Sequence, residues 1–202
     1  MSLSVFALNC TLKPSPADSS CERLLRQVLG AFAELGAYGE LLRAADFDIK
    51  PGVSSDEGAG DDWPELRRRI LAADVFILGT PIWLGHPSSI CQRVMERLDA
   101  FLGETDAAGR MPSYGKVACA TVVGNEDGAH HVSAQIFQGL NDLGFSLAPN
   151  AVTYWVGEAM QGRDFKDLPQ TPDKVRQATA SMTRNAVHLA GLLRTAQYPG
   201  SA

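Results

Sequence analysis

Val75-Phe76-Ile77-Leu78-Gly79-Thr80-Pro81-Ile82-Trp83-Leu84-Gly85 is the stretch on which the fold turns. Its first four residues are apolar and β-prone without polar alternation, as in a strand covered on both faces. Gly79-Thr80-Pro81 reads as the stop of that strand. Beyond it Trp83 and Leu84 stand where the sheet should end, and Ser88 or Ser89 can cap the helix that follows. That helix carries Ile90, Val94, Leu98 and Phe101 or Leu102 at helical spacing.

The same order of strand, loop and helix recurs on both sides. Upstream, Val5 to Leu8 is a short apolar run ending at Asn9, and a polar, Pro-rich turn follows. Ser19 and Glu22 stand at capping-box spacing before Leu24, Leu25, Val28, Leu29, Phe32 and Leu35, which predicts a helix from Ser20 to Leu35. A second strand is read near Glu40 to Leu42, a solvated loop over 54–62, and a helix from Pro64 to Ala73. Downstream, Val117 to Val123 reads as a strand, Gly124 to Gly128 as a loop, and Ile136, Leu140 and Leu143 as a helix face. A fifth strand over Leu147 to Thr153, a connection from Tyr154 to Gln170 and a last helix from Pro172 to Leu193 complete the chain. Parallel neighbours need crossovers, so five strands alternating with five helices predict an α/β fold, a five-stranded parallel sheet with helices on both faces. Residues 1–202 are read as one domain.

Composition narrows the function classes. Hydrophobic residues are 45% and charged residues 20% of the chain, a globular balance. With 18 basic against 23 acidic side chains the net charge is -5, and no basic block exceeds Arg67-Arg68-Arg69, so a nucleic acid is not the expected partner. No apolar stretch approaches the length of a membrane span, and the first residues carry no basic leader, so the expected location is cytoplasmic and away from the membrane. Cys10, Cys21, Cys91 and Cys119 are scattered without zinc-ligand spacing, which reads as four reduced thiols and no metal.

In an open parallel sheet, ligands bind beyond the carboxyl ends of the strands. Three loops leave such ends. The first, Asn9 to Cys21, offers the Thr11, Ser15, Ser19 and Ser20 hydroxyls and the Lys13 ammonium beside a helix N-terminus, a setting that suits a phosphate. It has no dinucleotide or triphosphate fingerprint, so a monophosphate fits better; the same residues also suit a plain Ser-capped helix. The second, Thr80 to Ser88, presents Trp83 and Leu84, which suit the edge of a planar apolar ligand or else a packing surface. The third, Gly124-Asn125-Glu126-Asp127-Gly128, offers backbone and amide groups to a heterocycle with carbonyl and imide edges, or is a surface turn. His130 and His131 adjoin it without metal-site geometry.

Over residues 3 to 160 the chain resembles the NADPH-dependent FMN reductases of the flavodoxin-like superfamily. The resemblance rests on Asn9-Cys-Thr-Leu-Lys13 with Ser19 and Ser20, Asp46-Phe-Asp-Ile-Lys-Pro-Gly52, Thr80-Pro-Ile-Trp-Leu-Gly85 followed by Pro87-Ser-Ser89, and Gly124-Asn-Glu-Asp-Gly128. It implies a flavodoxin-like three-layer α/β/α sandwich with strand order 2-1-3-4-5. It also implies non-covalent FMN, with its phosphate among Thr11, Lys13, Ser19, Ser20 and Cys21. The ring would lie against Pro81, Ile82, Trp83, Leu84 and Gly85, closed by Gly124, Asn125, Glu126, Asp127 and Gly128. Cys21 stands where relatives carry a better phosphate donor.

The reaction the resemblance implies is two-electron transfer from NADPH or NADH through FMN to a small-molecule acceptor: a quinone, free flavin, azo compound or metal oxyanion. It needs no dedicated acid, base or nucleophile, so no catalytic residue is named. Such proteins are often homodimers or homotetramers, and Trp83, Trp155 and the 154–170 connection would suit a partner surface or a lid. Two competing readings are a flavodoxin-like one-electron carrier, against which the absence of a T-x-T-G-x-T loop counts, and a non-catalytic binding or regulatory module.

Overall fold

The computed structural model describes residues 2–158 and 161–201. Strand β1 (Leu3–Asn9) pairs in parallel with β2 (Ala37–Arg43) on one side and β3 (Val75–Trp83) on the other. Then come β5 (Val117–Gly124) and β6 (Ser146–Val156), giving the order β2-β1-β3-β5-β6. Counted without the two-residue β4 (His86–Pro87), which pairs antiparallel with β3, this is the order 2-1-3-4-5. The helices are α1 (Ser20–Glu34), α2 (Trp63–Ala72), α3 (Ser89–Leu98), α4 (Ala129–Asp142) and α5 (Asp173–Thr195). One buried cluster unites Phe6, Leu8, Phe76 and Leu78 with α2, α3 and α4; another unites Val5, Ala7, Val75 and Ile77 with α1 and α5. Alternate residues of β1 and β3 therefore feed opposite layers, which is why both strands are apolar throughout.

The central strand does not stop at Gly79-Thr80-Pro81. It runs on to Trp83 because β5 keeps pairing with it through Pro81↔Val123. Gly79 turns its carbonyl toward β1, where Cys10 N–H donates to it at 2.8 Å. Alternation then aims the donor-less Pro81 at the side where β1 has already ended, so no ladder bond is lost. β6 is likewise longer than the expected 147–153, and Tyr154, Trp155 and Val156 belong to it rather than to the connection. An irregularity between Ala118 and Ala120 of β5 absorbs extra β6 residues, and Asn150 there takes a left-handed φ of 58°. β2 extends the expected 40–42 segment at both ends, α3 stops at Leu98 before a 3-10 turn, and Ser88 rather than Ser89 caps it.

Arg97 and Asp61, both with fully buried side chains, form a two-bond ion pair at 3.0 and 2.7 Å, and Arg97 also donates to the carbonyls of Lys50 and Ser54. Burial disfavours the Asp61 charge, but Arg97 and the amides of Glu57, Trp63 and Lys50 outweigh it and hold the carboxyl well below the usual carboxylate range. The 48–62 segment, read from sequence as a solvated loop over 54–62, is thus tied down from inside. All four cysteines are free and buried. Among the described residues no helix is long and apolar enough to cross a membrane.

Candidate functional site

The first loop is held from several directions. Thr11 N–H donates to Asn9 Oδ1 at 3.1 Å, and Ser15 donates through N–H and Oγ to the Asp46 carboxylate at 2.6 and 2.7 Å. Ser19 caps α1 by accepting from Glu22 N–H at 3.1 Å. Its hydroxyl sits 3.4 Å from Asn9 Nδ2, so the end of β1 and the start of α1 are joined directly. The first-turn amides of α1, Ser20 and Cys21 included, have no carbonyl to bond within the helix. Lys13 is exposed on the loop.

Two of the residues expected at this site point elsewhere. The Cys21 thiol packs in the core with Leu25 and Val28, and burial pushes its pKa far up, so only the Cys21 backbone faces the loop. The signal was present in the helical spacing, since Cys21, Leu25, Val28 and Phe32 share one face. The Ile82 side chain is also buried in the core and leaves only its backbone at the edge. Trp155, which the sequence offers with Trp83 for a partner surface or a lid, is half-buried with its ring 5.6 Å from that of Phe165.

The second loop is a tight hairpin. Trp83 pairs with His86, and the two residues between them, Leu84 (φ 52°) and Gly85 (φ 77°), both lie in the left-handed region, as a two-residue turn of this hand demands. Glycine suits that backbone and leucine does not. Leu84 nonetheless sits at the tip, 90% exposed, beside Trp83 at 53%. The third loop meets this turn at Gly128, where φ is 114° and a Cβ would come within 2.9 Å of the Gly85 Cα, so that position requires glycine.

Side chains stitch the loops into a closed circuit around the carboxyl edge of the sheet. Ser88 links the first to the second: its Oγ donates to the Cys10 carbonyl at 2.6 Å, and its N–H donates to Thr80 Oγ1 at 3.0 Å. Leu84 N–H donates to Glu126 Oε1 at 2.9 Å, joining second to third. The third loop meets the 157–172 connection through Gly157 N–H to the Gly124 carbonyl (2.9 Å) and Asn125 Nδ2 to Asp164 Oδ1 (3.1 Å). The connection returns to α1, where Arg23 donates to the carbonyls of Phe165, Lys166 and Leu168 and Ser20 Oγ accepts from Lys166 N–H. Ala159 and Met160, within the connection that the sequence offers as a lid or partner surface, fall outside the described residues. The circuit thus brings Thr11, Lys13, Ser19 and Ser20 to one arc, and Pro81, Trp83, Leu84, Gly85 and Gly124 to Gly128 to another.

A model of the NADPH-dependent FMN reductases matches residues 3–161. The chain belongs to the NADPH-dependent FMN reductase family. Among curated relatives of this family member, the 8-demethyl-8-aminoriboflavin-5'-phosphate synthase of Streptomyces davaonensis is 33% identical over 213 residues, covering 98% of this chain and 81% of that one. The crystal structure of RosB with bound 8-demethyl-8-formylriboflavin-5'-phosphate superposes with a TM-score of 0.90 at 30% identity, covering 98% of this chain and 82% of that chain. A protein of Mycobacterium bovis named divalent metal cation transporter MntH is 37% identical over 195 residues, and the chain spans only 28% of its length. A flavodoxin from the domain Archaea superposes with a TM-score of 0.58 at 7% identity, covering 95% of this chain and 99% of that one, so the fold is flavodoxin-like; family membership supports an FMN-dependent oxidoreductase.

Among the residues that reasoning from sequence missed, Arg43 stands out. It ends β2 opposite Asn9, is 6% exposed, and reaches into the first loop from behind. The chemistry of the arc fits a flavin mononucleotide: hydroxyls, an ammonium and free helix-start amides for a phosphate monoester, and apolar plus backbone groups for a ring.

Proposed function

We propose that the chain is an FMN-dependent NAD(P)H oxidoreductase that passes electrons to a small organic or metal-oxyanion acceptor. The observation that carries this reading is the closed circuit of loops, with a polar arc at the helix start and an apolar arc at the hairpin. Thr11, Lys13, Ser19 and the backbone of Ser20 and Cys21 would bind the phosphate, the Lys13 ammonium and the α1 dipole offsetting its charge. Pro81 to Gly85 and Gly124 to Gly128 would hold the ring, with Glu126 fixing the hairpin backbone through Leu84 N–H. Bound FMN would supply the two-electron chemistry, with NADPH or NADH as donor. Exposed Trp83 and Leu84 would then border the opening through which donor and acceptor alternate.

A second reading, in which a riboflavin phosphate is substrate rather than cofactor, is favoured by the likeness to the S. davaonensis synthase. Anaerobic mixing of the FMN-loaded protein with NADPH or NADH, followed by a quinone, separates the two. The reductase reading expects the flavin band to bleach and return, with flavin of unchanged mass after many turnovers. Flavin that stays oxidised with both nucleotides removes it, and flavin of altered mass after a separate aerobic incubation with an amino-acid amine donor, dioxygen serving as oxidant, transfers the case to the second reading.

A further inference from the structure

We propose that Arg43 is the positioning residue of the phosphate loop: a buried cation that sets the loop's shape from behind and cancels the carboxylate nearest the phosphate. Its Nη1 donates to three loop carbonyls, those of Lys13 and Pro14 at 3.0 Å and Ala17 at 2.8 Å. Its Nη2 pairs with Glu22, which lies in the first turn of α1 and also pairs with Arg26. Burial alone would raise the Glu22 pKa, but the two arginines outweigh it and keep the carboxyl charged, below its ordinary value.

An acidic side chain in the first turn favours the helix but repels a phosphate bound at the same place. Arg43 resolves that conflict because it is fixed between the carboxylate and the loop. The guanidinium fork spans several acceptors at once, which a lysine ammonium on a flexible stem does not reproduce. Arg43 Nε is buried without a partner. Replacing Arg43 alone by an apolar residue would leave three loop carbonyls and the Glu22 carboxylate without this donor.

The proposal rests on the FMN reading, and its test keeps the two apart. Arg43→Met and Arg43→Lys are compared with the unaltered protein in two measurements: hydrogen exchange of the 11–19 amides without flavin, and titration with FMN and with riboflavin. The expected result is faster exchange in 11–19, FMN affinity down about tenfold or more, riboflavin affinity within twofold, and a midpoint of thermal unfolding that is lowered in the Met variant but stays above the temperature of the titrations. Arg43→Lys should recover little of the loss, whereas adding Glu22→Gln to Arg43→Met should recover part of it. Equal losses for FMN and riboflavin, or FMN affinity within twofold of the unaltered protein, overturn the proposal. If the unaltered protein binds neither flavin, the FMN reading is what has failed, and unchanged exchange in 11–19 would then overturn the loop-holding role as well.

Discussion

The two arcs of the site are built in opposite ways. At the proposed phosphate end, buried polar groups (Asn9, Arg43, Ser88) fix a loop whose Lys13 faces outward, so its geometry exists before any ligand arrives. At the ring end, a hairpin tip projects two large apolar side chains into solvent, and the described side-chain tie from its backbone to the third loop is Leu84 N–H to Glu126. A phosphate monoester has one shape and one charge, so a rigid cradle loses little entropy on binding it. In the proposed reductase, donor and acceptor differ in shape and would alternate, which favours an edge with few fixed contacts. The contrast is between an anchor and an opening.

The largest expected effect lies outside both arcs, in the buried ion pair that ties down the 48–62 segment. Arg97→Met would leave the Asp61 carboxylate buried and unpaired and should cost about 3–5 kcal/mol in a urea titration. The pH dependence has a defined sign. Because the Asp61 pKa is depressed below its ordinary value of 3.8, its contribution is present above that value and is lost as pH falls toward the folded pKa. Acid unfolding of the unaltered protein should therefore steepen below about pH 4, where an Asp61→Asn variant gives a flatter profile.

Next in size, Lys13→Ala should weaken FMN by about 1.5 kcal/mol, roughly tenfold, and leave riboflavin unchanged in parallel titrations. Equal losses for both ligands would erase the distinction between the two arcs.

How much of this was legible beforehand differs between the arcs. The strands and helices declared themselves because their periodicity is local, and the hairpin's Trp83 and Leu84 were visible as apolar residues past a strand's end. The continuation of β3 through Pro81 was not, because it depends on β1 stopping early and β5 continuing. Arg43 was invisible for a similar reason: its partners lie 21 to 30 residues earlier, and a single arginine ending a short strand has no local pattern. Cys21 could have been assigned to the core from its i+4 relation to Leu25, had helix phase been given more weight than the loop that precedes it.

At the ring end the expected effects are smaller and differ in kind. Leu84→Asn relieves a left-handed leucine and should stabilise the hairpin by about 1 kcal/mol in thermal unfolding. It should also raise KM for an apolar acceptor with little change in FMN affinity; an unchanged KM would mean that the exposed leucine serves something other than acceptor contact. The smallest effect is expected of Glu126→Ala, which removes the acceptor of Leu84 N–H at an accessible position and should cost about 0.5–1 kcal/mol, read as faster exchange at Leu84 with α1 and its loop unaffected.

The most direct test of the account is an absorbance spectrum of the purified protein after excess FMN and gel filtration, run beside the same experiment with riboflavin. A preformed phosphate anchor with a loosely held ring edge predicts that FMN co-elutes with the protein and riboflavin does not. Equal retention of both flavins, or loss of both, would contradict it.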